Sequence, residues 1–169
     1  MRAKPLPSQA ELLSIFRYDG ESGNLFWLIK PRRNVECGDK AGHRNIRGYV
    51  IVKYKGEAYK AHRIIWKMLH NEEPEIIDHR NNTSNTNKLV NLRPATKSQN
   101  GFNSRISKHC KVGLKGVSRN RDKYVAHIRT PGKQHYLGTF DTAEEAHEAY
   151  MQAAMCYHKE FANDGISCL

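Results

Sequence analysis

Long apolar runs and paired cysteines are both missing from this sequence. A membrane-spanning helix needs about 18 or more consecutive apolar residues, so the chain is not expected to cross a membrane. The four cysteines are scattered without a Cys-x-x-Cys pair, which argues against a zinc knuckle and favours free thiols in a reducing compartment. The N-terminal residues lack the apolar core of a signal peptide. We therefore expect a cytoplasmic protein without a membrane partner.

Acidic residues are scarce relative to basic ones. The 169 residues include 28 Lys and Arg but only 17 Asp and Glu, which gives a formal net charge of +11. Such a surplus favours a polyanionic partner, nucleic acid first and an anionic membrane surface second. The apolar fraction of 38% can fill small cores rather than one large core. The length allows one ordinary domain or two small ones.

The stretch from residue 76 to residue 103 carries the strongest chemical signal. A short apolar run ends there on Asp78 and His79, which places a hard oxygen ligand beside a base that titrates near neutral pH. Because neighbouring strand residues point to opposite faces, one of the two can hold a metal while the other faces a water. Asn91 follows His79 by 12 residues, and Asn100 follows Asn91 by 9. A lone histidine would favour a structural role in an Asn-rich loop, but this constellation favours a nuclease.

These residues resemble the ββα-metal motif of HNH endonucleases, in the variant of some phage intron-encoded homing endonucleases whose third motif residue is Asn. The resemblance implies that Asp78 and Asn100 ligate one divalent cation and that His79 is the general base that activates water. It also implies that Asn91 fixes the His79 ring through a hydrogen bond. An all-oxygen ligand pair suits Mg²⁺ or Mn²⁺ better than a soft transition metal. A phage origin would place the protein in the host cytoplasm.

A hairpin and a helix are predicted before this motif. Residues 48–54 alternate as a strand, and residues 57–62 return as its partner after a Lys-Gly turn. Residues 63–70 carry an apolar stripe at helical spacing. His62, just before this helix, is open to two interpretations: a phosphate contact near the metal, or a structural hydrogen bond.

A second region is unusually basic. Residues 105–139 contain nine Lys or Arg residues and one acid. The excess falls largely on three strand-like segments. Residues 123–129 alternate most clearly, with Tyr124, Ala126 and Ile128 on one face.

A helix is predicted directly after these strands. Asp141 or Thr142 can cap its N-terminus, and its small alanines would let it lie close to a sheet. The strands, the string LGTFDTAEEAHEAY and the alanine-rich helix resemble the plant Apetala-type, or ethylene-response, DNA-binding domain over residues 113–163. In that domain a three-stranded sheet can enter the major groove of double-stranded DNA. The residues predicted to contact DNA are Arg119, Arg121, Lys123, Arg129, Lys133 and His135.

The predicted fold class is α+β. A ββα-metal HNH catalytic domain is followed by a small three-stranded antiparallel sheet packed on one helix. The predicted boundaries are residues 1–105 for the nuclease region with its motif at 76–103, 106–112 for a linker, 113–163 for the DNA-binding domain and 164–169 for a tail.

Together these patterns predict a site-recognising DNA endonuclease that hydrolyses phosphodiester bonds with one divalent cation, Mg²⁺ or Mn²⁺, and a histidine general base. The alternative is a non-catalytic, sequence-specific DNA-binding regulator with a decayed nuclease motif. A third hypothesis, a binder of RNA or of anionic membranes, rests on charge alone. One motif per chain fits nicking by a monomer and also a double-strand cut by a homodimer.

Overall fold

The computed structural model describes residues 4–107 and 109–165. The chain divides into two compact units, Met1–Ala95 and Thr96–Leu169. This division falls inside the stretch 76–103, so the two ends of the predicted motif belong to different units. The boundaries at 105 and 113 remain a prediction, and residues 166–169 of the predicted tail lie outside the described residues.

The first unit is built from small antiparallel sheets and two helices. β1 pairs with β2, β4 lies between β3 and β5, and β6 pairs with β7. The elements in chain order are α1 (Gln9–Ile15), β1 (Phe16–Asp19), β2 (Asn24–Trp27), β3 (His43–Arg44), β4 (Val50–Tyr54), β5 (Glu57–Lys60), α2 (Ala61–His70), β6 (Ile76–His79) and β7 (Leu92–Ala95).

One hydrophobic core holds the first unit together. α2 contributes Ile64 and Ile65, both completely buried, and β1 and β2 contribute Phe16 and Trp27, whose ring centroids lie 4.7 Å apart. Ile77 joins β6 to the same core. Because this side chain is packed, the two residues that follow it at the end of β6 are held in place.

Helix α2 begins two residues earlier than the sequence predicted. β5 ends at Lys60 and α2 begins at Ala61, so His62 lies in the first turn of the helix and not at the end of a strand over 57–62. The residues around this boundary include no glycine or proline, which would have signalled the change of structure. Ala61 and Ile65, one helical turn apart, are both buried, and this burial favours the early start.

The antiparallel pairing of β6 with β7 sets the register of the motif. His79 faces Leu92, and Asp78 faces Arg93. Paired residues of antiparallel strands project to the same side, so the guanidinium of Arg93 meets the carboxylate of Asp78. Nε and Nη2 of Arg93 both lie 2.9 Å from Oδ2 of Asp78. The side chains of Arg93 and Asp78 are only 5% and 6% exposed, which makes this a buried ion pair.

The second unit confirms the predicted α+β class, with a three-stranded sheet packed on one helix. The sheet is antiparallel with the strand order β10-β9-β8. No helix within the described ranges is both long and apolar enough to cross a membrane. The elements of this unit are α3 (Lys97–Phe102), β8 (Val117–Asn120), β9 (Lys123–Thr130), β10 (Lys133–Phe140), α4 (Ala143–Tyr157) and a 3₁₀ turn at Lys159–Phe161.

Small side chains bring α4 close to the sheet. Ala126 and Ile128 of β9 are buried against Ala146 and Ala154 of α4, as the alternation along this strand predicted. Thr142 is the residue that caps α4, and it forms a reciprocal capping box with Glu145.

The close approach of α4 also explains a glycine at the start of β8. Gly116 has a φ of +79°, and a Cβ built there would lie 2.0 Å from Cδ2 of Tyr150 on α4. No side chain fits this gap. Gly132, in the turn between β9 and β10, has a similar φ of +78° but no neighbouring atom within 4 Å of its added Cβ.

Replacing Arg93 with Met should destabilise the first unit by about 3–5 kcal/mol, because the buried Asp78 carboxylate would lose the guanidinium charge and both of its contacts. Both tryptophans, Trp27 and Trp66, belong to this unit, so urea unfolding followed by tryptophan fluorescence measures the loss. Lys88→Met removes an exposed charge from the loop of the same hairpin, and should change the free energy of unfolding by less than about 0.5 kcal/mol. Equal losses in the two variants would contradict a stabilising buried pair.

Gly116→Ala should destabilise the second unit by about 2–4 kcal/mol, because it adds a steric clash with Tyr150 to the strain of a left-handed backbone. Gly132→Ala adds the strain alone and should cost only about 1 kcal/mol. Hydrogen exchange of the β9 amides reports the stability of this unit. Similar loss of protection in both variants would show that the Tyr150 contact contributes nothing.

Candidate active site and nucleic-acid interface

Asp78 and His79 are the last two residues of β6, and both are buried. Their side chains alternate across the strand, so the carboxylate and the imidazole project to opposite faces. The ion pair with Arg93 lies on the Asp78 side. The His79 ring lies on the other side, where it contacts Asn87 of the loop that leads to β7.

The His79 ring is oriented by Asn87. Nε2 of His79 lies 3.0 Å from Oδ1 of Asn87. An amide oxygen can only accept, so Nε2 carries the proton of the neutral ring and Nδ1 carries the lone pair. Burial lowers the pKa of His79, while the Asn87 contact and the charge of Asp78 oppose this shift. The ring is therefore neutral at pH 7 and can accept a proton.

Asn91 holds the loop between β6 and β7 together. Its Oδ1 accepts from the backbone N–H of Asn81 at 3.0 Å, and its Nδ2 donates to Oδ1 of Asn81 at 2.9 Å and to the carbonyl of Thr86 at 2.8 Å. These bonds join the first and last parts of the loop. The loop consequently has a defined shape although it contains neither a strand nor an α-helix.

The predicted hydrogen bond between Asn91 and His79 is therefore corrected: Asn87 forms it. Asn91 lies in the 3₁₀ turn Leu89–Asn91 just before β7, and its side chain bonds to Asn81 and Thr86 instead. Asn87 was not singled out from the sequence, because nothing in an Asn-rich loop distinguishes one carboxamide from the next. Its burial, 2% exposed, is the feature that separates it from its neighbours.

A second histidine and a tyrosine surround the His79 ring. The ring of His62 meets it edge-on, with centroids 4.9 Å apart, and the Tyr49 ring lies 6.1 Å from it. His62 is buried, and this burial lowers its pKa well below the usual value. The His62 ring therefore packs against that of His79, and the two interpretations of His62, a phosphate contact and a structural hydrogen bond, remain predictions.

The donors predicted for a metal are oxygen atoms from two elements. Asp78 supplies a buried carboxylate at the end of β6, and Asn100 supplies an exposed carboxamide on α3, in the second unit. A carboxylate has two oxygens and about four acceptor positions, so the bonds from Arg93 to Oδ2 are compatible with a cation ligand. Hard oxygen donors fit Mg²⁺ or Mn²⁺. No cluster of three or more His, Cys, Asp or Glu side chains occurs within residues 4–107 and 109–165.

The sheet of the second unit has one face packed on α4 and one face turned away from it. Ala126 and Ile128 point toward α4, so the alternating residues Lys123 and Arg129 point away. Both are exposed. The ammonium of Lys123 is paired with the carboxylate of Asp141, and Arg129 lies beside Gln134 of the next strand, with Nε 3.3 Å from Oε1. Of the residues predicted to contact DNA, these two lie on the open face.

The other predicted arginines and lysine lie at the margins of the sheet. Arg121 occupies the turn between β8 and β9 with a φ of +54° and is exposed. Arg119 pairs with Tyr124, and Lys133 pairs with Thr130, so the pairing places both on the sheet face that packs against α4. Both residues are nevertheless exposed, because they lie near strand ends.

His135 was predicted to contact DNA but lies on the α4 side. It pairs with Ile128, a core residue, and its ring stacks on Tyr157 of α4 with centroids 5.2 Å apart. Its Nε2 also lies 3.0 Å from the hydroxyl of Thr130. The physical reason is register: His135 and Ile128 are direct partners, and direct partners share a face.

The residues predicted to contact DNA did not include the uncharged side chains of the open face. Tyr136 is 62% exposed there, its hydroxyl lies 2.8 Å from that of Thr139, and its ring meets His127 edge-on at 5.8 Å. A bulge between Tyr136 and Gly138 reverses the alternation, so one period-2 pattern does not describe β10. The uncharged or weakly basic members of this face are Ser118, Asn120, Val125, His127, Gln134, Tyr136 and Thr139, of which Val125 is buried.

Comparison with known families gives two matches along the chain. The family model of the HNH endonuclease matches residues 59–102. The family model of the AP2 domain matches residues 112–160. No curated protein and no solved structure is significantly similar to the chain. The first match includes β6, β7 and α3, and the second includes the three-stranded sheet and α4. The chain therefore contains an HNH endonuclease domain followed by an AP2 domain.

Proposed function

We propose that this chain is a site-recognising DNA endonuclease of the HNH homing type, which hydrolyses phosphodiester bonds with one divalent cation. The observation that carries the proposal is a buried, neutral imidazole, held by Asn87 next to Asp78 within an HNH endonuclease domain. The AP2 domain and the formal charge of +11 support duplex DNA as the substrate.

His79 is proposed as the general base. Hydrolysis joins a water oxygen to phosphorus and breaks the bond from phosphorus to the 3′ oxygen. Nδ1 of His79 takes the proton from the attacking water as the new bond forms. The Asn87 contact keeps the other ring nitrogen protonated, and it also stabilises the imidazolium together with the charge of Asp78.

Asp78 and Asn100 are proposed to hold the cation, by their positions in the family motif. When bound, a hard divalent cation stabilises the negative charge of the phosphate and of the leaving oxygen. Arg93 orients the Asp78 carboxylate through two bonds to one of its oxygens. Asn91 is proposed as a positioning residue, since it shapes the loop that carries Asn87.

The AP2 domain is proposed to bind the duplex through the open face of its sheet. Lys123 and Arg129 supply charge to phosphates or guanine edges there, and Tyr136 supplies an exposed aromatic surface. Arg119, Arg121 and Lys133 can reach phosphates from the margins. His135 is left out of this surface, because its ring is stacked on Tyr157.

The alternative of a non-catalytic regulator is not favoured. A decayed motif is expected to have lost at least one of its functional residues, and Asp78, His79, Asn91 and Asn100 are all present. A plasmid-nicking assay with and without EDTA separates the two functions. Nicking that requires the cation indicates the enzyme, and a gel shift without nicking indicates the regulator.

His79→Ala should lower the cleavage rate by a factor of about 10² to 10⁴, because the attacking water loses its base. Asn87→Ala should lower it less, since the base remains but its ring is no longer oriented. DNA affinity, measured by gel shift in EDTA, should stay near that of the wild type in both variants. The assay is single-turnover cleavage in Mg²⁺ and in Mn²⁺.

Asn85→Ala is the matched control, because it removes a carboxamide from the same loop. It should cleave at the wild-type rate. Wild-type cleavage by His79→Ala in either cation would overturn the assignment of the base.

Arg129→Ala should weaken duplex binding and reduce the dependence of log affinity on log salt concentration by about one unit, because one phosphate contact is lost. Lys159→Ala removes the same charge from the 3₁₀ turn outside the sheet and should leave the slope unchanged. Fluorescence anisotropy over a series of salt concentrations measures both. Equal slopes for Arg129→Ala and the wild type would exclude a phosphate contact at this position.

A further inference from the structure

The short helix α3 belongs to the same compact unit as the AP2 domain. The HNH family match extends to residue 102 and so includes this helix, which carries Asn100. The helix has six residues. Helices shorter than about 12 residues are marginal in isolation, so contacts outside the helix must hold it. Its capping box between Thr96 and Gln99 satisfies only its first turn.

An aromatic stack fixes the last residue of α3. The Phe102 ring lies on the His158 ring with centroids 3.8 Å apart and an interplanar angle of 7°. His158 follows α4 directly and is buried. Its Nε2 donates to the carbonyl of Arg129 at 2.7 Å, so the stacked imidazole cannot rotate away without losing this bond. The same residue, Arg129, presents its side chain on the open face of the sheet.

A lysine fixes the C-terminal end of α3. Nζ of Lys115, the residue before Gly116, donates to the carbonyl of Phe102 at 2.6 Å and to that of Ser104 at 2.8 Å. The last carbonyls of a helix have no partners within the helix. A cation there also interacts favourably with the partial negative charge at the C-terminal end of the helix dipole. The chain beyond the helix is attached too, since the N–H of Ile106 donates to the carbonyl of Gly165 at 3.3 Å.

We propose that the AP2 domain holds the helix that carries Asn100: Lys115 and His158 act as positioning residues that fix α3 and thereby orient the Asn100 carboxamide. This inference rests on the proposed function, because it takes Asn100 as a ligand. It assigns the AP2 domain a role in cation affinity in addition to DNA binding. The residues that carry this role lie outside the HNH family match.

The test measures cation binding directly in the full chain without DNA. Mn²⁺ is titrated and its free concentration is followed by electron paramagnetic resonance, while hydrogen exchange reports the amides of residues 97–104. His158→Ala and Lys115→Met should each raise the dissociation constant for Mn²⁺ by a factor of up to about 10, the lower end of the effect of losing a residue that bonds a ligand directly, because both act through the helix. Exchange at residues 97–104 should become faster in both variants.

Tyr157→Ala is the matched control. It removes an aromatic stack of the same kind at the end of the same helix, but that stack is with His135 and not with α3. Its Mn²⁺ affinity and the exchange of residues 97–104 should equal those of the wild type. If His158→Ala does not fold, Lys115→Met carries the test, because it keeps a long apolar side chain in place of the lysine.

Asn100→Ala separates this inference from the proposed function. Wild-type Mn²⁺ affinity in Asn100→Ala would overturn the ligand assignment, and with it the proposed site. Weakened binding in Asn100→Ala, combined with wild-type affinity in His158→Ala and Lys115→Met, would overturn the positioning role alone. Weakened binding in all three, with the control unchanged, is the expected result.

Discussion

The buried ion pair between Asp78 and Arg93 is the constraint on which the candidate site of the first unit depends. Two charges can leave water only if each meets the other with good geometry, and here both guanidinium contacts are 2.9 Å long. A slip of one residue between β6 and β7 would separate the pair and expose the apolar side chains of both strands. The register is therefore strongly specified, and it determines which face His79 occupies.

Burial acts on the adjacent residues Asp78 and His79 in different ways. It requires a partner for the carboxylate of Asp78, and it lowers the pKa of His79, so that the imidazole is neutral. His62 adds a second neutral ring at its edge and keeps the surroundings apolar. Asn87 then selects which nitrogen of His79 carries the proton. Each of these contacts comes from a different element, which is why no local pattern reveals the whole arrangement.

The two faces of the small sheet in the second unit differ in what they contact. One face packs against the alanines of α4, and the other presents Lys123, Arg129 and Tyr136. The margins add further charge. Because α3 is stacked and capped by this unit, the last helix of the HNH domain and the strand that carries Arg129 belong to one packed body. Helices this short persist where tertiary contacts replace the hydrogen bonds that they lack.

Much of the fold could be predicted because its signals are local. Alternating residues identified β9, the cap at Thr142 and the alanine spacing identified α4, and the family motifs identified both domains and their order. The start of α2 could not be predicted, since no breaker marks the change from strand to helix. The bulge in β10 lies beside Gly138, and a glycine inside a strand is a local signal of a bulge that was missed.

The sequence by itself determined the chemical groups: one carboxylate, one imidazole and two carboxamides at set intervals, and a basic second region. Tertiary structure alone decided their partners. It paired Asp78 with Arg93 and bonded the His79 ring to Asn87. It also directed the Asn91 side chain to the loop and the His135 ring toward α4. The physical reason is that residue spacing sets the type and order of side chains along the chain, whereas strand register and burial decide which of them meet.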